Sequence, residues 1–170
     1  YNFLASYSIA SSLGVENSNI INSLYSFSIL KGRGDTIKKG DITIIDDTYN
    51  ANLASMKSGI ENLEFKKNKG QNIVLIIGDM LDLGEDSKDL HSELGEYISG
   101  LNFIDSVYCV GKESRFVIEN INNKKINLKL FIDINSIITF LNNYDNSNTT
   151  FYIKGSRGMY MEKIIEKVFN

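Results

Sequence analysis

At 170 residues, 42% of them hydrophobic and with a formal net charge of −3, the chain is long enough for one well-buried domain with an appendage, and too apolar for a disordered or fibrous one. The mild acidity argues against a nucleic-acid partner, which calls for a basic face. No apolar run approaches the ~20 residues needed to span a bilayer, so no membrane role is expected.

The chain starts at Tyr1 rather than Met and enters at once what reads as the body of a helix, Asn2 to Leu13, with apolar or small side chains at helical spacing. That start leads to the expectation of a piece of a longer protein. Gly14 is the expected stop of this helix. A second short helix is expected from Ser18, as its N-cap, through Ile20, Ile21, Leu24 and Tyr25. The stretch Phe27 to Gly34, with Gly32 and Gly34 flanking Arg33, reads as a linker.

From Asp35 the rhythm changes. Asp35 to Ile45 predicts a hairpin turning at Lys39-Gly40-Asp41. Four further strands are expected at about Ile73–Ile77, Ser106–Val110, Leu128–Ile132 and Thr150–Ile153. Helices are expected at about Ala54–Glu64, Lys88–Ile98, Ser114–Asn122, Ile134–Asn143 and Met159–Phe169. Strands alternating with amphipathic helices require crossovers, hence an α/β, Rossmann-like, doubly wound and mostly parallel sheet with an N-terminal edge hairpin. The Asn-rich stretch Asn142 to Asn148 reads as a solvated surface turn.

In such a sheet the loops after the strands share one edge, where ligands bind. Four of them place Gly beside charge: Asp46 to Asn52, Gly78 to Glu85, Gly111-Lys112-Glu113, and Lys154 to Gly158. Asp47 suits a ribose diol, or equally a helix cap or loop amides. Lys154-Gly155-Ser156 before a helix suits an anion. Neither a G-x-x-x-x-G-K-[ST] loop nor a G-x-G-x-x-G fingerprint occurs. The single histidine, His91, lies in a predicted helix without Cys or His companions, so a surface or helix-packing role is expected rather than zinc ligation. Asp82, Glu85, Asp86 and Asp89 read as a polar helix start rather than a cation site. Asp46 and Asp47 would point to opposite faces of a strand, which makes them a poor acid/base pair. Cys109, alone within Val107-Tyr108-Cys109-Val110, cannot form an internal disulfide; it reads as a small buried hydrophobe and suits a reducing cytoplasm.

Five segments, in order, carry a resemblance. Asp46-Asp47-Thr48-Tyr49-Asn50-Ala51-Asn52 with Ser55-Met56 resembles D-D-[ST]-Y-N-A-N-P-x-S-M, and Gly78 to Gly84 resembles G-D-M-L-E-L-G, with His91 at the matching helix position. Lys154 to Met159 with Met161-Glu162 resembles K-G-S-R-x-M-x-M-E, and Lys31-Gly32-Arg33-Gly34 resembles a K-G-R interdomain joint. Asn2 with Leu4-Ala5 resembles the end of H-N-x-x-N-x-L-A. Together they are similar to the Mur ligase family, in the branch that adds D-alanyl-D-alanine. Leu53 stands where that pattern has proline, and Asp35 where Glu is frequent.

The resemblance implies that residues 1–31 are the last helices of a central ATPase domain and residues 32–170 a complete C-terminal Rossmann-like domain. It implies a cytoplasmic, ATP- and Mg2+-dependent ligase acting on UDP-MurNAc-tripeptide and D-alanyl-D-alanine through an acyl phosphate. The phosphate loop and Mg2+ ligands would lie in the protein's own upstream domains, leaving this stretch inactive alone. Carried over by residue, it implies Asp47 on the ribose, Arg33 on the phosphates and Asn2 near the adenine. Tyr49, Asn50 and Asn52 would line the cleft, and Lys154 and Ser156 would meet the dipeptide carboxylate. The rivals are a stand-alone Rossmann-like nucleotide-binding or signalling module, and another Mur-type ligase, such as the folylpolyglutamate enzyme or the one adding the third amino acid. The Gly78–Gly84 and Lys154–Met159 segments speak against both alternative ligases, and the helical stub speaks against the module.

Overall fold

The computed structural model describes residues 2–27, 30–66 and 70–169, without the side chains of Asn2 and Lys66. The chain divides into two units, Tyr1–Leu30 and Lys31–Asn170. Ser28 and Ile29, within the expected linker, lie outside the described residues.

The first unit holds α1 (Asn2–Ser12) and α2 (Asn17–Tyr25). Gly14 closes α1 as expected: its φ of 80° lets Val15 N–H reach back to the Ala10 carbonyl at 3.1 Å, a left-handed cap that a Cβ would disfavour. Ser18 is not the N-cap of α2. Glu16 holds that position, and Ser18 lies one residue inside the helix. Two short helices offer each other too little surface to bury an apolar face, and Leu4, Ile9, Leu13 and Tyr25 remain exposed.

In the second unit the run Ile73-Val74-Leu75-Ile76-Ile77 has no polar side to turn toward water, so it must lie between two layers. It forms the heart of a six-stranded sheet made of β1 (Asp35–Lys39), β2 (Ile42–Asp46), β3 (Asn72–Gly78), β4 (Ser106–Val110), β5 (Asn127–Phe131) and β6 (Thr149–Lys154). The spatial order is β1-β2-β6-β3-β4-β5, and only the β1–β2 hairpin is antiparallel. That hairpin turns on Gly40, whose φ of 60° suits the first central position of a two-residue loop.

Helices α3 (Leu53–Lys66), α4 (Ser87–Ser99) and α5 (Arg115–Glu119) cover one face, and α6 (Ile134–Asn142) and α7 (Glu162–Val168) the other. Met56, Ile60, Leu94 and Ile98 bury against Ile73, Leu75 and Ile77, while Ile137, Leu141 and Ile164 bury against Val74, Ile76 and Phe151. Alternate residues of β3 thus feed two separate cores, as the period of two demands. The doubly wound, mostly parallel sheet with its edge hairpin is the architecture expected from the sequence.

Two helices are shorter than the pattern suggested. Residues after Glu119 leave α5 through a tighter bond, Ile121 N–H to the Ile118 carbonyl. Tyr160, at a φ of 52°, separates a short 3-10 turn at Arg157–Met159 from α7. The Asn142–Asn148 turn is exposed but tethered, with Asn148 N–H on the Asp41 carboxylate at 2.7 Å and its side-chain amide on the Gly70 carbonyl at 2.7 Å. Cys109 is fully buried. Burial, and secondarily the charge of Asp79, push its thiol far up, so it packs as an apolar group.

Three tyrosine hydroxyls are raised by folding. Burial, then the Glu61 hydrogen bond, pushes Tyr97 up to about 12, and burial pushes Tyr108 up to about 12. Burial, then the charge of Asp47, holds Tyr152 well above 10.0. All three favour the neutral form more when folded than when unfolded. Their contribution is therefore complete below pH 10; it is lost as pH rises through about 12 for Tyr97 and Tyr108, and through the raised pKa of Tyr152 for that residue. Because the chain has no tryptophan, tyrosinate absorbance reads this directly. A fraction of that signal is expected to emerge together with the loss of far-ultraviolet circular dichroism. If every tyrosine ionised near pH 10 with the fold intact, the burial argument would be wrong.

Candidate functional site

The strand order creates the site. β6 lies between β2 and β3, yet it leads to α7 on one face while its neighbours lead to α3 and α4 on the other. The chain therefore parts in opposite directions at the C-terminal end of β6, leaving the crevice where open α/β sheets bind ligands.

At the end of β2 the two carboxylates separate. Asp46 is 1% exposed and turned inward, its Oδ1 accepting from Thr48 N–H at 3.2 Å and from Thr48 Oγ1 at 2.7 Å. It shapes the loop. Asp47 turns toward the crevice, its N–H held by the Ile153 carbonyl at 3.0 Å. Its Oδ2 accepts from the Tyr152 hydroxyl at 2.8 Å and from Lys154 Nζ at 2.7 Å. No described donor reaches its Oδ1. Lys154, 3% exposed, also donates to the Asn50 carbonyl at 2.8 Å, so its charge is matched inside the protein.

The Lys31–Gly34 segment docks on this loop through Tyr49 N–H to the Gly32 carbonyl at 2.9 Å and Gly34 N–H to the Asp46 carbonyl at 2.7 Å. Gly32 is required on two counts: its φ is 81°, and a Cβ would sit 3.2 Å from both Thr48 Oγ1 and Tyr49 N. The result places the Arg33 guanidinium 4.0 Å from the Tyr49 ring centroid, a cation–π stack that aims an exposed charge along the crevice.

Asn52 caps α3. Its Oδ1 accepts from Ser55 N–H at 2.8 Å while Ser55 Oγ accepts from Asn52 N–H at 3.1 Å, a reciprocal capping pair. Leu53 is the first residue of α3, the position where proline is tolerated best, so leucine there removes no ligand group. Asn50 turns on itself, Oδ1 accepting from Ala51 N–H at 2.9 Å. Arg33, Asp47, Tyr49, Asn50, Asn52 and Lys154, with Ala51 and Ser55, line a cavity of about 360 Å3, within the size range of small-molecule sites. A second hollow of about 350 Å3 lies on the other side of Tyr49, bounded by Lys31, Asp46, Thr48, Arg157, Glu162 and Glu166.

Six of the eight residues singled out from the sequence therefore share one cavity. Ser156 does not. It is 4% exposed, its Oγ accepts from Leu81 N–H at 2.8 Å, and its N–H donates to the Asp79 carbonyl at 3.0 Å, which ties the β6 loop to the β3 loop. Asn2 opens α1, and its side chain lies outside the described residues. Sequence reasoning passed over Tyr152 and Gly59. The only signals were a tyrosine two residues before Lys154 and a glycine in a helix interior, each common for other reasons.

The remaining loops are structural supports. The Asp79 carboxylate accepts three backbone amides, from Lys112 at 3.0 Å, Glu113 at 3.1 Å and Ser114 at 2.7 Å. Gly111, at a φ of 124°, leaves room for that carboxylate, which a Cβ would overlap. His91, fully buried, accepts Met80 N–H at Nε2 at 3.0 Å with Nδ1 2.7 Å from the Ser87 carbonyl, so it braces the same loop. Among the described residues no group of three His, Cys, Asp or Glu side chains is arranged to hold a metal ion.

Chemically, the cavity offers an open carboxylate oxygen, an exposed guanidinium and an aromatic face. That set suits a ligand with vicinal hydroxyls and an anionic tail.

Residues 32–157 match the family model described as Mur ligase, glutamate ligase domain. Over 143 residues the chain is 36% identical to the UDP-N-acetylmuramoyl-tripeptide–D-alanyl-D-alanine ligase of Rickettsia prowazekii, covering 84% of this chain and 31% of that protein. It is similar in structure to MurF from Acinetobacter baumannii, with a TM-score of 0.83 and 30% identity over 98% of this chain and 36% of that one. The MurF ligase from Thermotoga maritima in complex with ADP gives a TM-score of 0.76 and 30% identity, over 98% of this chain and 36% of that one. The chain thus spans about a third of the length of the curated relatives it matches.

Proposed function

Since the chain belongs to the Mur ligase family, we propose that it forms one wall of the nucleotide site in an ATP-dependent ligase that joins D-alanyl-D-alanine to the UDP-MurNAc-tripeptide, a step of peptidoglycan precursor synthesis in the cytoplasm. In that reaction ATP phosphorylates the tripeptide carboxylate, and the dipeptide amine then displaces phosphate from the acyl phosphate. The roles of Asp47, Arg33, Tyr49, Asn50 and Asn52 rest on groups that line the cavity.

Asp47 Oδ1 accepts hydrogen bonds from the ribose hydroxyls. Arg33 reaches the phosphates, where a guanidinium stabilises charge on the transferring phosphoryl group. Tyr49, Asn50 and Asn52 line the cleft, and the adenine role of Asn2 rests on the family resemblance alone. ATP supplies the phosphoryl group, and the Mg2+ that accompanies such transfers would be held by residues of upstream domains. The dipeptide role expected for Lys154 and Ser156 gains less support. Lys154 is committed to Asp47 and Asn50, and Ser156 already anchors Leu81. With one wall only, this stretch alone should bind ATP weakly and ligate nothing, because a lone ribose contact does not offset the entropy lost on association.

The observation that carries the reading is the Asp47 oxygen left open in a cavity beside Arg33. In a full-length ligase containing this domain, Asp47→Ala is expected to raise the KM for ATP by about tenfold or more, given ~1.5–3 kcal/mol for hydrogen bonds to a charged group. Initial rates against ATP concentration measure it, and an unchanged ATP dependence would remove the ribose assignment.

A further inference from the structure

We propose that Tyr152 and Lys154 are positioning residues that hold the Asp47 carboxylate in its ribose-accepting orientation, and that Gly59 is the clearance in α3 that lets the tyrosine do so. This rests on the nucleotide reading above and deepens it.

Tyr152 and Lys154 are two apart on β6, so both side chains leave the same face of the sheet, toward α3. β6 runs parallel to β2 with Ile153 opposite Asp46, which sets both donors beside the residue that follows the strand. They land on one oxygen, Asp47 Oδ2, at 2.8 and 2.7 Å. A carboxylate on a polar loop normally turns about its terminal bond. Here two donors on Oδ2 stop that rotation and leave Oδ1 for the cavity. Orientation is settled before the ligand arrives, so less ordering is required on binding.

Gly59 supplies an independent observation. Glycine is a poor residue for a helix interior, and α3 contains it where a Cβ would overlap the Tyr152 hydroxyl. The overlap falls on the hydroxyl and the ring carbon that bears it, the part of the side chain that reaches Asp47. Alanine at position 59 would push back both the hydroxyl and that ring carbon, so the tip of the side chain could not stay on Asp47. The pair Gly59 and Tyr152 makes sense as a unit built to deliver that hydroxyl. Lys154, 3% exposed, supplies the matching charge, so neither member of the ion pair is buried alone.

The test uses a full-length ligase carrying this domain, with Tyr152→Phe, Gly59→Ala and Lys154→Met made alone and in an Asp47→Ala background. Tyr152→Phe is the mildest change, and its fold is verified by thermal unfolding. Tyr152→Phe and Gly59→Ala are each expected to raise the KM for ATP on the order of threefold to tenfold with kcat nearly unchanged, and to reduce the preference for ATP over its dideoxyribose analogue. Lys154→Met should do more. In the Asp47→Ala background, Tyr152→Phe should add nothing. If Asp47→Ala raises KM while Tyr152→Phe does not, positioning is overturned and the ribose assignment stands. If Tyr152→Phe acts equally with and without Asp47, its role is only structural, and the proposal is overturned. If Asp47→Ala has no effect, the nucleotide reading falls and the proposal with it.

Discussion

Asp79→Ala is expected to lower the unfolding free energy of the Lys31–Asn170 unit by on the order of 3–5 kcal/mol, the largest stability loss of any single polar truncation at this sheet edge. Asp79 is 6% exposed, and its two oxygens take the amides of Lys112, Glu113 and Ser114, the turn that starts α5. Alanine would leave three backbone donors without the acceptor they share, and that of the fully buried Ser114 would be the hardest for water to reach. Each such hydrogen bond to a charged acceptor contributes about 1.5–3 kcal/mol, reduced where water enters the space vacated. Gly111, whose missing Cβ makes room for the carboxylate, cannot refill it. Asp79→Asn keeps one acceptor oxygen but turns an NH2 toward the remaining donors, so it should fall between wild type and alanine. Urea unfolding followed by circular dichroism gives the values. A loss under about 1 kcal/mol would mean that the loop re-forms its bonds with water.

Arg33→Ala is expected to lower kcat by about 100- to 1,000-fold in a full-length ligase, with a much smaller change in the KM for ATP. Among the described residues the Arg33 side chain makes no hydrogen bond or ion pair. The guanidinium is exposed, and its stack on Tyr49 contributes about 0.5–1 kcal/mol at such a site. The stack instead aims a permanent charge at the cavity that Asp47 lines. In the proposed ligase, charge so placed would act most strongly on the transition state of phosphoryl transfer, where negative charge is spread over the transferring group. Arg33→Lys should recover little, because lysine lacks the planar fork and stacks less well. Single-turnover rates at saturating ATP separate the alternatives. A rise in KM with kcat preserved would make Arg33 a ground-state binder.

Asp47 and Lys154 illustrate what could and could not be read from sequence. Both were marked by type and place, a carboxylate and an ammonium at the ends of apolar runs. Their pairing across 107 positions was invisible, because it depends on β6 entering the sheet between β2 and β3. Without that strand order Lys154 looks free for a substrate carboxylate. Asp46 was correctly set apart from Asp47 because the period of a strand is a local property. The helical pattern around His91 allows a surface or a helix-packing role; burial, and the Met80 amide that it accepts, are decided by the tertiary fold. Serine is favoured as an N-cap, which points to Ser18, yet the helix starts from Glu16.

By itself the sequence determined the α/β class, the run of strands and helices, and which loops carry polar chemistry, since each depends on periodicity and side-chain type over a few residues. Only the tertiary structure decided which of those loops meet. It placed Tyr152 under Gly59, spent Lys154 on Asp47 and left one carboxylate oxygen open, because contacts between distant strands are set by the order in which a sheet assembles, and that order has no local signature.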